Sequence, residues 1–323
     1  MGEIGSNAGS SYPATLDTDN TKESSSTVER ADVPNDLADC IIKIETALGI
    51  SPAGNYANIV TRLNNTNFGA TLVVAASGYP LAQNANYVCD AINDEATILT
   101  AINALPAVGG KISLREGTYV FQAELVKDSF DNVEIEGCGE ATVIQRGFES
   151  ASAKGLFDLT NCNNWRFRNL LLDGNSGTYT STNNRGLNIG IGCTDSIIDK
   201  CTFQNITGEA INIKPHATVA TSQRGIVTNS IFSVVRDGVY IEYGKDITII
   251  GNKITTPSRY GIYHNESSNN IINNNVIRTT SGTPDGIYIT SSSRNIIGFN
   301  EILDDSNGSK GIRVGSYCDY NII

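Results

Sequence analysis

One short phrase returns throughout the second half of the chain: a small residue, then alternating apolar and polar positions. It reads Gly186-Leu187-Asn188-Ile189, Ala210-Ile211-Asn212-Ile213, Gly238-Val239-Tyr240-Ile241, Gly261-Ile262-Tyr263-His264, Gly286-Ile287-Tyr288-Ile289 and Gly311-Ile312-Arg313-Val314. The small residues at 186, 210, 238, 261, 286 and 311 are separated by 24, 28, 23, 25 and 25 positions. A period between roughly 20 and 50 residues marks a stack of like units. A second phrase, Asn-x-apolar, keeps step with the first at Asn229, Asn252, Asn275 and Asn300, and Cys201 holds that slot one turn earlier. An Ile/Val pair lies just upstream each time, as in Ile249-Ile250 and Ile271-Ile272. Each period thus holds about three β-branched runs parted by Gly, Asn, Ser and Asp, and period-two alternation buries one face of each run. No helix fits between them. Short strands repeating once per coil describe a parallel β-helix. A β-sandwich also spaces strands regularly, but does not return the same side chain to the same slot.

Composition narrows the partners. The chain of 323 residues carries a formal net charge of −11, against the basic stripe that nucleic acid requires and against docking to an anionic membrane. No apolar run approaches the roughly 18 residues of a membrane span, and Met1-Gly2-Glu3-Ile4-Gly5 is not the start of a secretory signal. The 7 cysteines show neither a CxxC pair nor zinc spacing, which fits reduced, mostly buried thiols in a chain made in a cytoplasm. No metal and no cofactor is expected.

The chain divides at about residue 68. Residues 1–30 are rich in Ser, Thr, Asp and Asn and are expected to be extended. Pro34, Asp36 and Asp39 before Gly49 frame a short helix over 34–48, with Leu37, Ile41, Ile44 and Leu48 forming an apolar seam suited to self-association. The run Tyr12-Pro13-Ala14-Thr15-Leu16-Asp17, together with Ile41-Ile42-Lys43-Ile44-Glu45-Thr46-Ala47-Leu48-Gly49, resembles the N-terminal segment of tailed-phage fibre, spike and baseplate-associated proteins. That resemblance implies a segment, 1–68, that attaches or trimerises an appendage through other virion proteins.

Residues 69–106 read as a first strand, Thr71–Ala75, and a capping helix with Ile98, Leu99, Ile102 and Leu105 on one face, ended by Pro106. A cap covers the core and strand edges that an open solenoid end exposes. The words Asn86-Tyr87-Val88-Cys89-Asp90, Ala101-Ile102-Asn103-Ala104-Leu105-Pro106 and Leu114-Arg115-Glu116-Gly117-Thr118-Tyr119 resemble the entrance of pectate-lyase-superfamily β-helix proteins. The resemblance implies an all-β, right-handed parallel β-helix with coils over 107–323. It leaves activity open, because lyases, hydrolases, epimerases and inert spikes share that fold. The chain stops at Ile322-Ile323 before the next Asn-x-apolar element, so the native polypeptide is expected to continue or to be covered by a partner.

Stacking places Tyr240, Tyr263, Tyr288 and Arg313 in one outward column, a surface suited to sugar rings. Asp237 and Asp285 precede the small residue two coils apart, and Glu242 ends the Asp237 strand; these three are the carboxylates available for glycosidic acid–base chemistry. Turn chemistry and packing account for the same residues without catalysis. His264 replaces an inward Ile and is expected to be a hydrogen-bonded core residue. The Asp-Asp, Gly-His-Gly and Arg-x-Lys set of pectin hydrolases is missing. The sequence therefore points first to a homotrimeric phage virion appendage, a tail spike, tail fibre or head fibre that adheres to host-surface glycans. A polysaccharide depolymerase on the same β-helix is the alternative, and a bacterial surface adhesin a third reading.

Overall fold

The computed structural model describes residues 70–216, 221–280, 284–305, 308 and 310–323. The expected helix 34–48 and its seam Leu37, Ile41, Ile44 and Leu48 lie outside the described residues. From residue 70 onward the chain is a right-handed parallel β-helix of about 8 turns, the hand that parallel crossover connections almost always take.

One coil shows the plan. Thr248–Ile250 lies on a first face, Lys253–Thr255 on a second and Tyr260–Asn265 on a third. Each strand pairs in parallel with its counterpart one period on: Ile249 with Ile272, Ile254 with Ile277, and Ile262 with Ile287. Inward columns follow from this register. Phe167, Ile198, Val227, Ile249, Ile272 and Ile297 line the first face, and all are buried. Phe203 and Phe232 stack with ring centroids 4.9 Å apart and planes 6° from parallel, which is the spacing of neighbouring strands.

The small residue that opens each third-face strand has a steric reason. A Cβ on Gly238 would sit 2.5 Å from the carbonyl oxygen of Gly261, and one on Gly261 would sit 2.5 Å from that of Gly286. The backbone of the next coil occupies the space of a side chain.

Corners turn through left-handed residues, for example Asn229, Asn274 and Phe299 between the first and second faces, with φ of 50°, 52° and 52°. Polar ladders run beside these bends. Between the first and second faces the ladder is Ser230, Asn252, Asn275 and Asn300: the amide of each donates to the side-chain oxygen of the next, at 3.0 Å in every step. This corrects the expected column. Asn229 is not in it, because Phe232 and not Ile231 aligns with Ile254, so Ser230 takes the rung. A second ladder, Asn270, Asn295 and Asn321, joins the third face to the first. Buried backbone amides at the corners, which pair with no strand, are satisfied this way.

The capping helix α1, Asp94–Asn103, buries Ile98, Ala101 and Ile102 against the first coils. Its buried Asp94 and Glu95 accept the amides of Val120 and Gln122 at 2.7 and 3.0 Å, tying cap to coil.

A charged and aromatic face as candidate functional site

The third face carries two outward columns. The turn slot before each small residue stacks Glu209 on Asp237, then Tyr260, then Asp285. The slot within the strand stacks Asp158, Asn188, Asn212, Tyr240, Tyr263, Tyr288 and Arg313. The expected tyrosine stripe is therefore present and in register. It is wider than expected, because Tyr260 joins it from the turn column. The Tyr260 and Tyr263 rings stack at 4.9 Å with planes 15° apart, Tyr240 lies 4.9 Å from Tyr263, and Tyr288 lies 5.2 Å from Tyr263. Guanidinium groups cover both ends: Arg259 sits 4.9 Å from the Tyr260 centroid and Arg313 sits 4.3 Å from that of Tyr288. Burial pushes the Tyr263 phenol up to about 12, so this ring at the centre of the stripe is neutral at physiological pH.

The carboxylates pair differently from the sequence expectation. Asp237 and Asp285 are two coils apart with Tyr260 between them, and Asp285 is held by Arg313 at 3.3 Å. Glu242 lies at the far end of the Asp237 strand, bonded to Lys214 at 2.6 Å. The close neighbour of Asp237 is Glu209, one coil away in the same slot. The sequence held this signal, since an acid precedes the small residue in both coils. Their adjacency follows a register shift between Ile206 and Glu209 that brings the two acids level.

Three arginines surround the pair. Arg185 Nε donates to Glu209 at 2.7 Å. Arg236 bonds Glu209 through one nitrogen and reaches Asp237 Oδ2 at 3.3 Å through another. Arg259 Nε donates to Asp237 Oδ1 at 2.8 Å, and its Nη2 contacts Oδ2 of the same carboxylate. Both acids are buried, Asp237 completely. Their environments separate them. Desolvation would raise the Glu209 carboxyl, but the Arg185 and Arg236 charges outweigh it and hold it below the ordinary range. Desolvation dominates at Asp237 and lifts its carboxyl, opposed by Arg259 and Arg236. The two carboxyls are thus biased in opposite directions.

A groove of about 260 Å³ adjoins the cluster, with Arg236 in its wall beside Thr180, Thr182, Thr207, Val234 and Ser258. Its floor turns at Val234, a β-branched residue at φ 53°, a conformation that L side chains adopt at a cost. Arg236 Nη1 donates to the Thr182 carbonyl at 3.1 Å, joining the 174–185 corner to the charged pair.

His264 departs from expectation. It is fully buried in the inward column between Ile241 and Ile289, and neither ring nitrogen has a hydrogen-bond partner. Burial alone pushes its pKa down to about 3.

The fold is the pectate-lyase-like parallel β-helix. The chain superposes on endo-xylogalacturonan hydrolase from Aspergillus tubingensis with a TM-score of 0.50 and 16% identity, covering 76% of this chain and 77% of that one. It superposes on the Agl-KA catalytic domain with a TM-score of 0.56 and 18% identity, covering 72% of this chain and 43% of that one. Residues 175–323 match the sequence pattern of the family described as periplasmic copper-binding protein (NosD). No curated protein matches the chain. The matched residues do not fit copper. His264 is enclosed by isoleucines, Cys193 and Cys201 are buried, and no group of three or more His, Cys, Asp or Glu converges among the described residues.

Proposed function

We propose that this chain is a polysaccharide depolymerase of the glycosidase type, with an extended glycan lying across the third face of the β-helix. The observation that carries this reading is the Glu209–Asp237 pair, stacked in adjacent coils and oppositely perturbed. Adjacent coils stand about 4.8 Å apart, near the separation of roughly 5 Å at which one carboxylate attacks the sugar and the other protonates the leaving oxygen. Glu209, held ionised, is the nucleophile, and Asp237, with its raised carboxyl, is the acid. The tyrosine stripe supplies flat apolar surface for sugar C–H faces and hydroxyls for their edges. Substrate entry requires Arg259, whose side chain is 40% exposed, to leave Asp237. The fold shared with the endo-xylogalacturonan hydrolase above supports a glycan as ligand.

The burial of Asp237 favours a second reading, in which the stripe binds glycan without cleaving it, as on the shaft of a phage appendage. The phage-like N-terminal segment supports that placement. Incubating the protein with a panel of capsular, O-antigen and plant polysaccharides, and measuring reducing ends and bound glycan separately, divides the two. New reducing ends that disappear in Glu209→Gln support the depolymerase. Binding that needs Tyr263, with no cleavage of any bound glycan, supports the adhesin and overturns the depolymerase.

A further inference from the structure

The corner that joins the third face to the first contains a ladder of small residues with polar γ atoms. Ser267 and Ser292 define it: each hydroxyl donates to the carbonyl oxygen two residues earlier, at 2.7 Å in both cases, and the Ser267 amide donates to Ser292 Oγ at 3.1 Å. Cys162 repeats that pattern in an earlier coil. Its Sγ contacts the Thr160 carbonyl at 3.1 Å, and its amide donates to Cys193 Sγ at 3.4 Å. The adjoining residues, Asn163 and Thr194, form a parallel bridge, so the two cysteines occupy neighbouring rungs. Both are buried and both are free thiols. Among the described cysteines this is the pair in which one thiol bonds to the other's residue.

We propose that Cys162 and Cys193 are a site of oxidative modification, at which a disulfide-class oxidant cross-links two successive coils. In-register neighbours have Cα atoms about 4.8 Å apart, inside the range of about 4.4–6.8 Å that a disulfide spans. The Cys162 thiolate attacks one sulfur of the oxidant's disulfide, forming a mixed disulfide and releasing one thiolate. The Cys193 thiolate then attacks the Cys162 sulfur, closing the new S–S bond and releasing the second. Two electrons pass from the cysteines to the oxidant, and their two protons leave to solvent or to the released thiolates. The neighbouring thiol holds Cys162 below the ordinary thiol range and, with burial, holds Cys193 above it, which favours Cys162 as the attacking group.

The cross-link would enclose the 31-residue span that carries the 174–185 corner and Arg185, one wall of the groove and one arm of the charged cluster. It gives that span a restraint that the ladder alone does not, and it would persist where a chain works outside a reducing cytosol.

The test uses the full chain, once treated in the native state with oxidised glutathione and once refolded in it, beside Cys193→Ser and Cys162→Ser. Serine already holds this slot in other coils, so both variants are expected to fold. The expected result is an intact mass lower by two hydrogens, a proteolytic fragment joining the two peptides, and a Tm raised by roughly 5–10 °C, all missing from both variants. Failure to form the bond under either treatment overturns the proposal. So does a cross-link mapped to another pair, or a Tm that falls on cross-linking.

Discussion

Glu209 and Asp237 lie one above the other in successive coils, and Arg236 bonds to both carboxylates. Arginine charge holds Glu209 down while desolvation lifts Asp237 against its arginines, so the two substitutions should differ in their side effects. Glu209→Gln and Asp237→Asn are each expected to lower hydrolysis by about 100-fold or more. Asp237→Asn should also lower stability by about 2 kcal/mol, short of the cost for a sealed pair because Arg259 reaches solvent. Reducing-end assays and thermal melts on the same preparations check both. Loss of stability with unchanged hydrolysis would leave the pair a structural bridge.

The opposite shifts also fix the form of the pH dependence. Activity needs Glu209 ionised and Asp237 protonated, so the rate should rise through the depressed Glu209 pKa and fall through the raised Asp237 pKa. A bell with its optimum on the acid side of neutrality is expected in kcat/KM. A rate still climbing above neutral pH would contradict the assignment.

Tyr263 is the centre of the aromatic surface, within 5.2 Å of three other tyrosine rings. Tyr263→Ala should weaken polysaccharide binding by about 10-fold, an effect of about 1.4 kcal/mol, with little change in kcat at saturation. Tyr263→Phe should retain most of the affinity if ring stacking is the main contact. Isothermal titration with a glycan that binds the parent protein measures this.

The scaffold was legible from the repeat because every coil must place an apolar side chain inward and a small residue against the next backbone. Those demands recur, so they leave a periodic trace. The outward tyrosines were legible for the same reason. Glu209 was not, although it precedes its small residue as Asp237 does. Its partners Arg185, Arg236 and Arg259 come from three different coils and from corners whose lengths vary, so no spacing rule links them. Asn229 was misread because a corner one residue out of step looks identical in sequence. The lone His264 showed its inward position but not its missing partners, which depend on the isoleucines above and below.

His264→Ile should stabilise the protein by about 1–3 kcal/mol, since it replaces a buried group with no hydrogen-bond partner by the residue that neighbouring coils use. The pH effect has a definite sign. The folded pKa of about 3 lies below the unfolded value, so the unfolded state binds a proton first as pH falls. Stability should therefore drop progressively below the ordinary histidine pKa of about 6.5. Denaturant midpoints compared at neutral and mildly acidic pH should show this drop shrinking in the variant.

Asn275 sits in the middle of its ladder. Its Oδ1 accepts the Asn252 amide and its Nδ2 donates to the Ile249 carbonyl, both at 3.0 Å. Asn275→Leu should cost about 2–4 kcal/mol by stranding those groups, and Asn275→Ser, which resembles the Ser230 rung, should cost less. Urea unfolding of both variants decides whether the ladder is a hydrogen-bonding device or a packing column.

The backbone contact at Gly238 and Gly261 has a consequence for how such a molecule diversifies. Because each third-face strand rests on the next coil's carbonyl, lengthening a strand would push both neighbours out of alignment. Corners carry no such constraint: the 28-residue interval after Ala210 and the 23-residue interval after Gly238 support strands in the same register. New ligand preferences can therefore be acquired by grafting corner segments, one at a time, onto a spine that is inherited unchanged.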